Sequence, residues 1–166
     1  MQEKICCFTG HRPNAFPWKE DETDPRRRQL QGRLEEAIDG ALRSGVKYFI
    51  CGNALGVDTW AAQIVLKKKE TDPSIRLEIA LPFPGHNKAS AVCAAVQRGA
   101  DLVHVVSAQK SWRLAALERD RYMVDRSDML IAVYDDPEPR RSGTQYTYQL
   151  ARNKGIDIIL VPWGDL

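Results

Sequence analysis

Ile50-Cys51-Gly52-Asn53-Ala54-Leu55-Gly56-Val57-Asp58 is the stretch whose reading decides the fold. It follows an apolar run, Val46 to Cys51, that predicts a strand. It leads into a segment from Val57 to about Lys69 that predicts a helix. Gly52 and Gly56 let the backbone bend tightly and let a ligand approach it. In parallel α/β proteins a turn of this kind lies at the carboxyl edge of the sheet, where ligands bind.

Outward from that turn the same alternation recurs. On the N-terminal side, Ile5 to Phe8 predicts a first strand, broken by Thr9-Gly10-His11-Arg12-Pro13. The polar segment to Asp24, with Phe16 and Trp18, predicts a long loop of the kind that often carries function. Asp24-Pro25 then reads as an N-cap followed by proline at the first helical position. Leu30, Leu34, Ala37, Ile38, Ala41 and Leu42 form one helical stripe, closed by Gly45. Downstream, strands are predicted over Ile75 to Leu81, Asp101 to Ser107, Met129 to Tyr134 and Ile156 to Val161. The intervening helices are marked by Ala89, Val92, Cys93 and Val96, by Leu114 to Arg126, and by Thr144 to Asn153. Strands alternating with helices predict an α/β domain. The expected architecture is a Rossmann-like three-layer sandwich with a mainly parallel sheet of about six strands, forming one domain over residues 1–166.

A net charge of +2 is too small to imply nucleic acid. Arg26-Arg27-Arg28 is the one dense basic run and lacks the interleaved aromatics that single strands favour. It reads as a solvated helix entry, so no nucleic-acid partner is expected. Cys6, Cys7, Cys51 and Cys93 have no C-x-x-C spacing and sit in apolar surroundings, which predicts buried, reduced packing residues. No apolar run approaches the ~20 residues of a membrane span, and the first residues lack a signal-peptide pattern. A cytoplasmic protein with no membrane partner is expected.

In a parallel sheet the loops that follow the strands gather on one edge. Here they hold Thr9 to Pro13, Gly52 to Asp58, Pro82 to Asn87, Ser107 to Trp112 and Asp135 to Thr144, a concentration of unusual residues that predicts one cleft. Asp58, at the start of its helix, would repel a phosphate. It suits sugar hydroxyls, or else it caps its own helix. Ser142-Gly143-Thr144 opens the last helix behind Arg140 and Arg141, with no carboxylate immediately after it. That makes it the more natural phosphate site, or an ordinary capped helix. Arg12, held extended by Pro13, suits phosphate or a carboxylate. His11 is an acid, a base or a loop hydrogen-bonder. His86 reads as a cap for the third helix and His104 as a core histidine. No histidine pair has ligand spacing, so no metal and no resident cofactor are expected. By spacing alone, Arg119-Asp120-Arg121-Tyr122 reads as a solvated helix face.

Taken together, Thr9-Gly10-His11-Arg12-Pro13, Gly52 to Ala62, Pro82-Phe83-Pro84-Gly85, Arg119 to Asp125 and Gly143-Thr144 resemble the SLOG superfamily. This Rossmann-like group includes the lonely-guy phosphoribohydrolases and the DNA-processing protein A family, and the resemblance is closest to its YpsA-like branch. It implies a small-molecule nucleotide-like ligand and, as its relatives commonly pair, self-association. The implied ligand-binding residues are Thr9, Gly10, His11, Arg12, Gly52, Asn53, Gly56, Asp58, Pro82, Phe83, Asp135, Gly143 and Thr144. Asn53 and Asp58 would hold ribose, while Arg12 and Gly143-Thr144 would hold phosphate. The resemblance places the lonely-guy catalytic arginine on Arg119, four residues before Met123, and the strand-opening aspartate on Asp128. The family's catalytic glutamate falls on Thr147, which supplies no carboxylate. A nucleotide-binding sensor or regulator is therefore expected ahead of a nucleoside 5′-monophosphate phosphoribohydrolase, in which Arg119 would be catalytic. A nucleic-acid module akin to DNA-processing protein A ranks third.

Overall fold

Apolar runs too short for helices alternate with longer segments that carry one apolar stripe, and each run became a strand. The structure is a computed structural model that describes residues 3–166. Strands β1 (Ile5–Thr9), β2 (Tyr48–Cys51), β3 (Arg76–Leu81), β4 (Leu102–Val105), β5 (Met129–Val133) and β6 (Asp157–Val161) form one sheet in the order β4-β3-β2-β1-β5-β6. Every neighbouring pair is parallel. Helices α1 (Pro25–Arg43), α2 (Val57–Thr71), α3 (Ala91–Gly99), α4 (Trp112–Arg126) and α5 (Gly143–Lys154) connect them. This is the expected α/β three-layer sandwich.

Alternation along the strands divides the core. Cys6 and Phe8 of β1 face one layer with Leu30, Leu34 and Ile38 of α1, Val65 of α2 and Val96 of α3. Cys7, between them, faces the other layer with Met123 and Val124 of α4 and Tyr148 and Ala151 of α5. Leu30, Leu34 and Ile38 are fully buried, each contributing about 1.5–3 kcal/mol relative to exposure. The Asp24 carboxylate accepts from Arg26 N–H at 2.8 Å, the N-cap that the sequence predicts. All four cysteines are free and fully buried. Among the described residues no helix is long and apolar enough to cross a membrane.

Three expectations are corrected, while the long loop after β1 is found as expected, with Phe16 and Trp18 buried and stacked in it, their centroids 4.9 Å apart. They anchor it to the core. α3 begins later than its predicted stripe, because Ser90, not His86, supplies the cap by accepting from Cys93 N–H. Ala89 precedes the helix and Val92 is exposed on it. His104 is no core histidine. It lies on the edge strand β4 and stays partly open while contacting the buried Glu78 carboxylate at 2.8 Å. Arg119 and Asp120 are buried, not solvated; only Arg121 and Asp125 of that run face solvent fully.

The winding of the sheet reverses between β1 and β5. Their following loops diverge there and leave a crevice at the carboxyl edge, the usual ligand position in such sheets.

Candidate functional site

The crevice is built from β1 outward. The loop after β1 is drawn down onto the start of α2, where the His11 carbonyl accepts from Val57 N–H at 3.4 Å. Two glycines permit this approach. A Cβ at Gly10 would lie 2.5 Å from Val57 side-chain atoms, and one at Gly56 (φ +97°) would lie 2.7 Å from the His11 carbonyl oxygen. The α2 N-terminus is thereby occupied by the protein's own backbone. The Asp58 carboxylate also accepts from Ala54 N–H at 3.2 Å, filling the turn further.

Gly52 carries the next layer. A Cβ there would meet Asp58 Oδ2 at 2.5 Å and Arg119 Nη1 at 2.8 Å, so both side chains rest on bare backbone. Arg119 donates from Nε to Asp120 Oδ1 at 2.9 Å and from Nη1 to the Ala80 carbonyl at 3.2 Å. Two buried carboxyls thus accompany one buried guanidinium. Burial pushes the Asp58 carboxyl up to about 6, partly offset by the Arg119 charge. Burial also raises Asp120, again against the pull of Arg119. Desolvation disfavours the charged form, and the single arginine only partly compensates.

His11 is clamped from two sides. Its Nε2 lies 2.7 Å from Glu138 Oε1 and its Nδ1 lies 3.3 Å from Thr144 Oγ1. The tautomer with Nε2–H donates to the carboxylate and leaves Nδ1 to accept from the Thr144 hydroxyl. Glu138 also accepts from Asp135 N–H and from Trp163 Nε1–H, which fixes the loop after β5. Beyond Thr144 the α5 N-terminus is open. Ser142 caps it by accepting from Gln145 N–H at 3.0 Å, which leaves the Gly143 and Thr144 N–H groups as first-turn donors.

Two connected cavities result. One, of about 320 Å³, is lined by Thr9, Gly10, His11, Asp58, Arg119 and Thr144, among others. The second, of about 850 Å³, lies between α4 and α5 and includes Trp112, Arg113, Arg141 and Tyr146. They share Arg12, Ala116, Asp120, Ser142 and Gly143. The larger is of the size that holds small organic ligands. Arg12, Arg113 and Arg141 form no ion pair among the described residues.

The structure therefore gathers Thr9, Gly10, His11, Arg12, Asp58, Arg119, Gly143 and Thr144 around one crevice, with Gly52 and Gly56 as packing surfaces beneath it. Phe83 lies beside it, in a side cavity of about 290 Å³ with Arg12, His86 and Trp112, whereas Pro82 is buried and lines none of these cavities. Asn53 is fully buried. Its Nδ2 donates to the His86 carbonyl at 2.9 Å, and its Oδ1 accepts from Gln97 at 3.3 Å. Asp135 faces the other way, accepting from Trp163 and Gly164 N–H at 3.0 and 2.7 Å. Asp128 accepts from Ile5 N–H at 2.9 Å and acts in the sheet.

Sequence reasoning gave no role to Asp120, Glu138, Arg113 or Trp163. Asp120 sat inside a recognised motif, but its burial depends on how α4 lies on the sheet. Glu138 reaches His11 across 127 positions, for which no local pattern exists. Among the described residues no group of three or more His, Cys, Asp or Glu side chains could hold a metal ion.

Comparison with known proteins shows the family. A model of the YspA SLOG family matches residues 6–161. The chain is similar to a UPF0398 protein of Halalkalibacterium halodurans, with 28% identity over 147 residues, covering 82% of this chain and 77% of that protein. A UPF0398 protein of Lacticaseibacillus casei is 27% identical over 177 aligned positions, covering 100% of this chain and 91% of its own length. One from Bacillus pumilus is 23% identical, with 90% and 82% covered.

Proposed function

This chain belongs to the YspA SLOG family, and from that premise we propose that its crevice binds a nucleotide or a nucleotide derivative, such as a nucleoside phosphate or an ADP-ribose-like molecule. The protein then acts as a cytoplasmic sensor or regulator. One observation carries the reading: Arg12, Arg113 and Arg141 line one cavity with the open first turn of α5, and among the described residues none of the three forms an ion pair. Guanidinium groups and helix N-termini both favour phosphate oxygens. Phosphate sits on Gly143-Thr144 with Arg12 and Arg141. Ribose hydroxyls donate to Asp58 and Asp120; the Asn53 amide is already engaged with His86 and Gln97.

Calorimetric titration with ribose 5-phosphate, AMP and ADP-ribose tests this. At least one is expected to bind, and Arg12→Ala is expected to weaken it by roughly tenfold or more, as for a lost charge-assisted hydrogen bond. No heat from any of the three at millimolar concentration would sink the proposal.

A second reading, hydrolysis of a nucleoside 5′-monophosphate to base and ribose 5-phosphate, is favoured by Asp120. Its carboxyl faces the Thr147 hydroxyl, where α5 itself offers no acid. A carboxylate there supports oxocarbenium-like charge or activates water. Chromatographic detection of free base from AMP, lost in both Asp120→Asn and Arg119→Ala, would establish it. Absence of release at high enzyme concentration leaves binding as the function.

A further inference from the structure

Trp112 stands at the first turn of α4 with 77% of its surface exposed, far more than any other large apolar side chain among the described residues. Single exposed apolar side chains are ordinary. This one is not isolated. Its ring lies 6.0 Å from that of Phe83 with the planes 17° apart, although Phe83 comes from the loop after β3 and Trp112 from the start of α4. Phe83 is held in turn by the edge of His86, at 5.0 Å and 80°. His86 is tied to Asn53, and burial with the Arg119 and Arg12 charges lowers its pKa to about 4, which keeps the ring uncharged at neutral pH. The stack is therefore braced from the sheet outward and needs little ordering when a ligand arrives.

Trp112 borders both the side cavity and the large one, whereas Phe83 borders only the side cavity. The indole thus stacks on Phe83 and also borders the large cavity. That cavity also holds Arg113, Arg141 and the open α5 turn. A flat apolar surface and guanidinium groups that form no ion pair among the described residues, facing one space, match a molecule with an aromatic end and an anionic end.

We propose that Phe83 and Trp112 form a stacking subsite for the base of the bound nucleotide. The base lies on the indole and points toward the first turn of α4, away from Gly52, with phosphate between it and α5. Purines, which present the larger flat face, bind more tightly than pyrimidines. This rests on the nucleotide reading above.

The test uses the full chain and compares AMP with ribose 5-phosphate by calorimetry and tryptophan fluorescence. Because Trp112 is exposed, its replacement leaves the fold intact. AMP is expected to quench wild-type fluorescence. Trp112→Ala is expected to weaken AMP by roughly five- to a hundredfold, the range for a lost base–aromatic stack, and to leave ribose 5-phosphate unchanged. Trp112→Phe retains most of the AMP affinity. If Trp112→Ala binds AMP as the wild type does, or weakens both ligands equally, the stacking subsite is wrong while nucleotide binding stands. If neither ligand binds the wild type, both proposals fall.

Discussion

Asp58→Asn should stabilise the protein at neutral pH relative to acid pH. In the native state burial lifts the Asp58 carboxyl from 3.8 to about 6. Between those values the folded chain retains a proton that the unfolded chain has released. Unfolding free energy therefore falls as pH rises through this window. The favourable contribution is complete below the unfolded pKa and lost once pH passes the folded one. A rise of about two units at about 1.36 kcal/mol each gives a penalty of about 3 kcal/mol in full, of which about 2 kcal/mol develops between pH 4.5 and 7.5. Asparagine keeps an acceptor for Ala54 N–H and carries no charge to desolvate. Urea unfolding of both proteins at pH 4.5, 6.0 and 7.5 measures the difference directly, since shared groups cancel. The variant should gain about 2 kcal/mol on the wild type across that range. A difference that does not change with pH would refute the buried, proton-retaining carboxyl and with it this account of the cleft's electrostatics.

Gly10→Ala would place a Cβ 2.5 Å from Val57; overpacking of this kind costs about 1–3 kcal/mol, and an unchanged melting temperature would show that the loop does not press on α2 as described. Glu78 is fully buried and accepts from Tyr48, Tyr122 and Arg126 while contacting His104. Glu78→Gln should cost about 1–3 kcal/mol, because an amide NH2 replaces one of the two oxygens on which these donors converge; an unchanged urea midpoint at pH 7 would contradict this network. The four cysteines are buried, and burial pushes the Cys7 thiol up to about 12. Ellman's reagent should find no fast-reacting thiol in the native protein and all four after denaturation; rapid native labelling would contradict their packing.

Much of the fold was legible because it depends on local features. The Asp24-Pro25 start of α1, the glycine at its end and the apolar runs of β1, β2 and β5 act within a few residues of themselves. The loops that line the crevice followed from alternation alone, since a parallel sheet puts them on one edge. What was not legible depends on distance in sequence. Arg119 and Asp120 look like a solvated run until α4 is laid against Ala80 and Gly52. The His11 clamp needs Glu138, and the occupied α2 N-terminus needs the loop after β1. Asn53 and Asp135 were plausible ligand contacts by loop position, but neighbours that no spacing rule identifies already engage their polar atoms. Edge strand β4 reads like its neighbours in sequence, yet Leu102 and Val105 are exposed because nothing pairs beyond it.

The clamp on His11 also bears on when the site comes into being. His11 is made well before its two partners, which follow 127 and 133 positions later. A nascent chain carrying β1 to β4 can pair those strands but has neither clamp nor open α5 turn. Closing so large a loop is entropically demanding, and such contacts form late. The crevice is therefore incomplete on an emerging chain until β5 and α5 have left the ribosome.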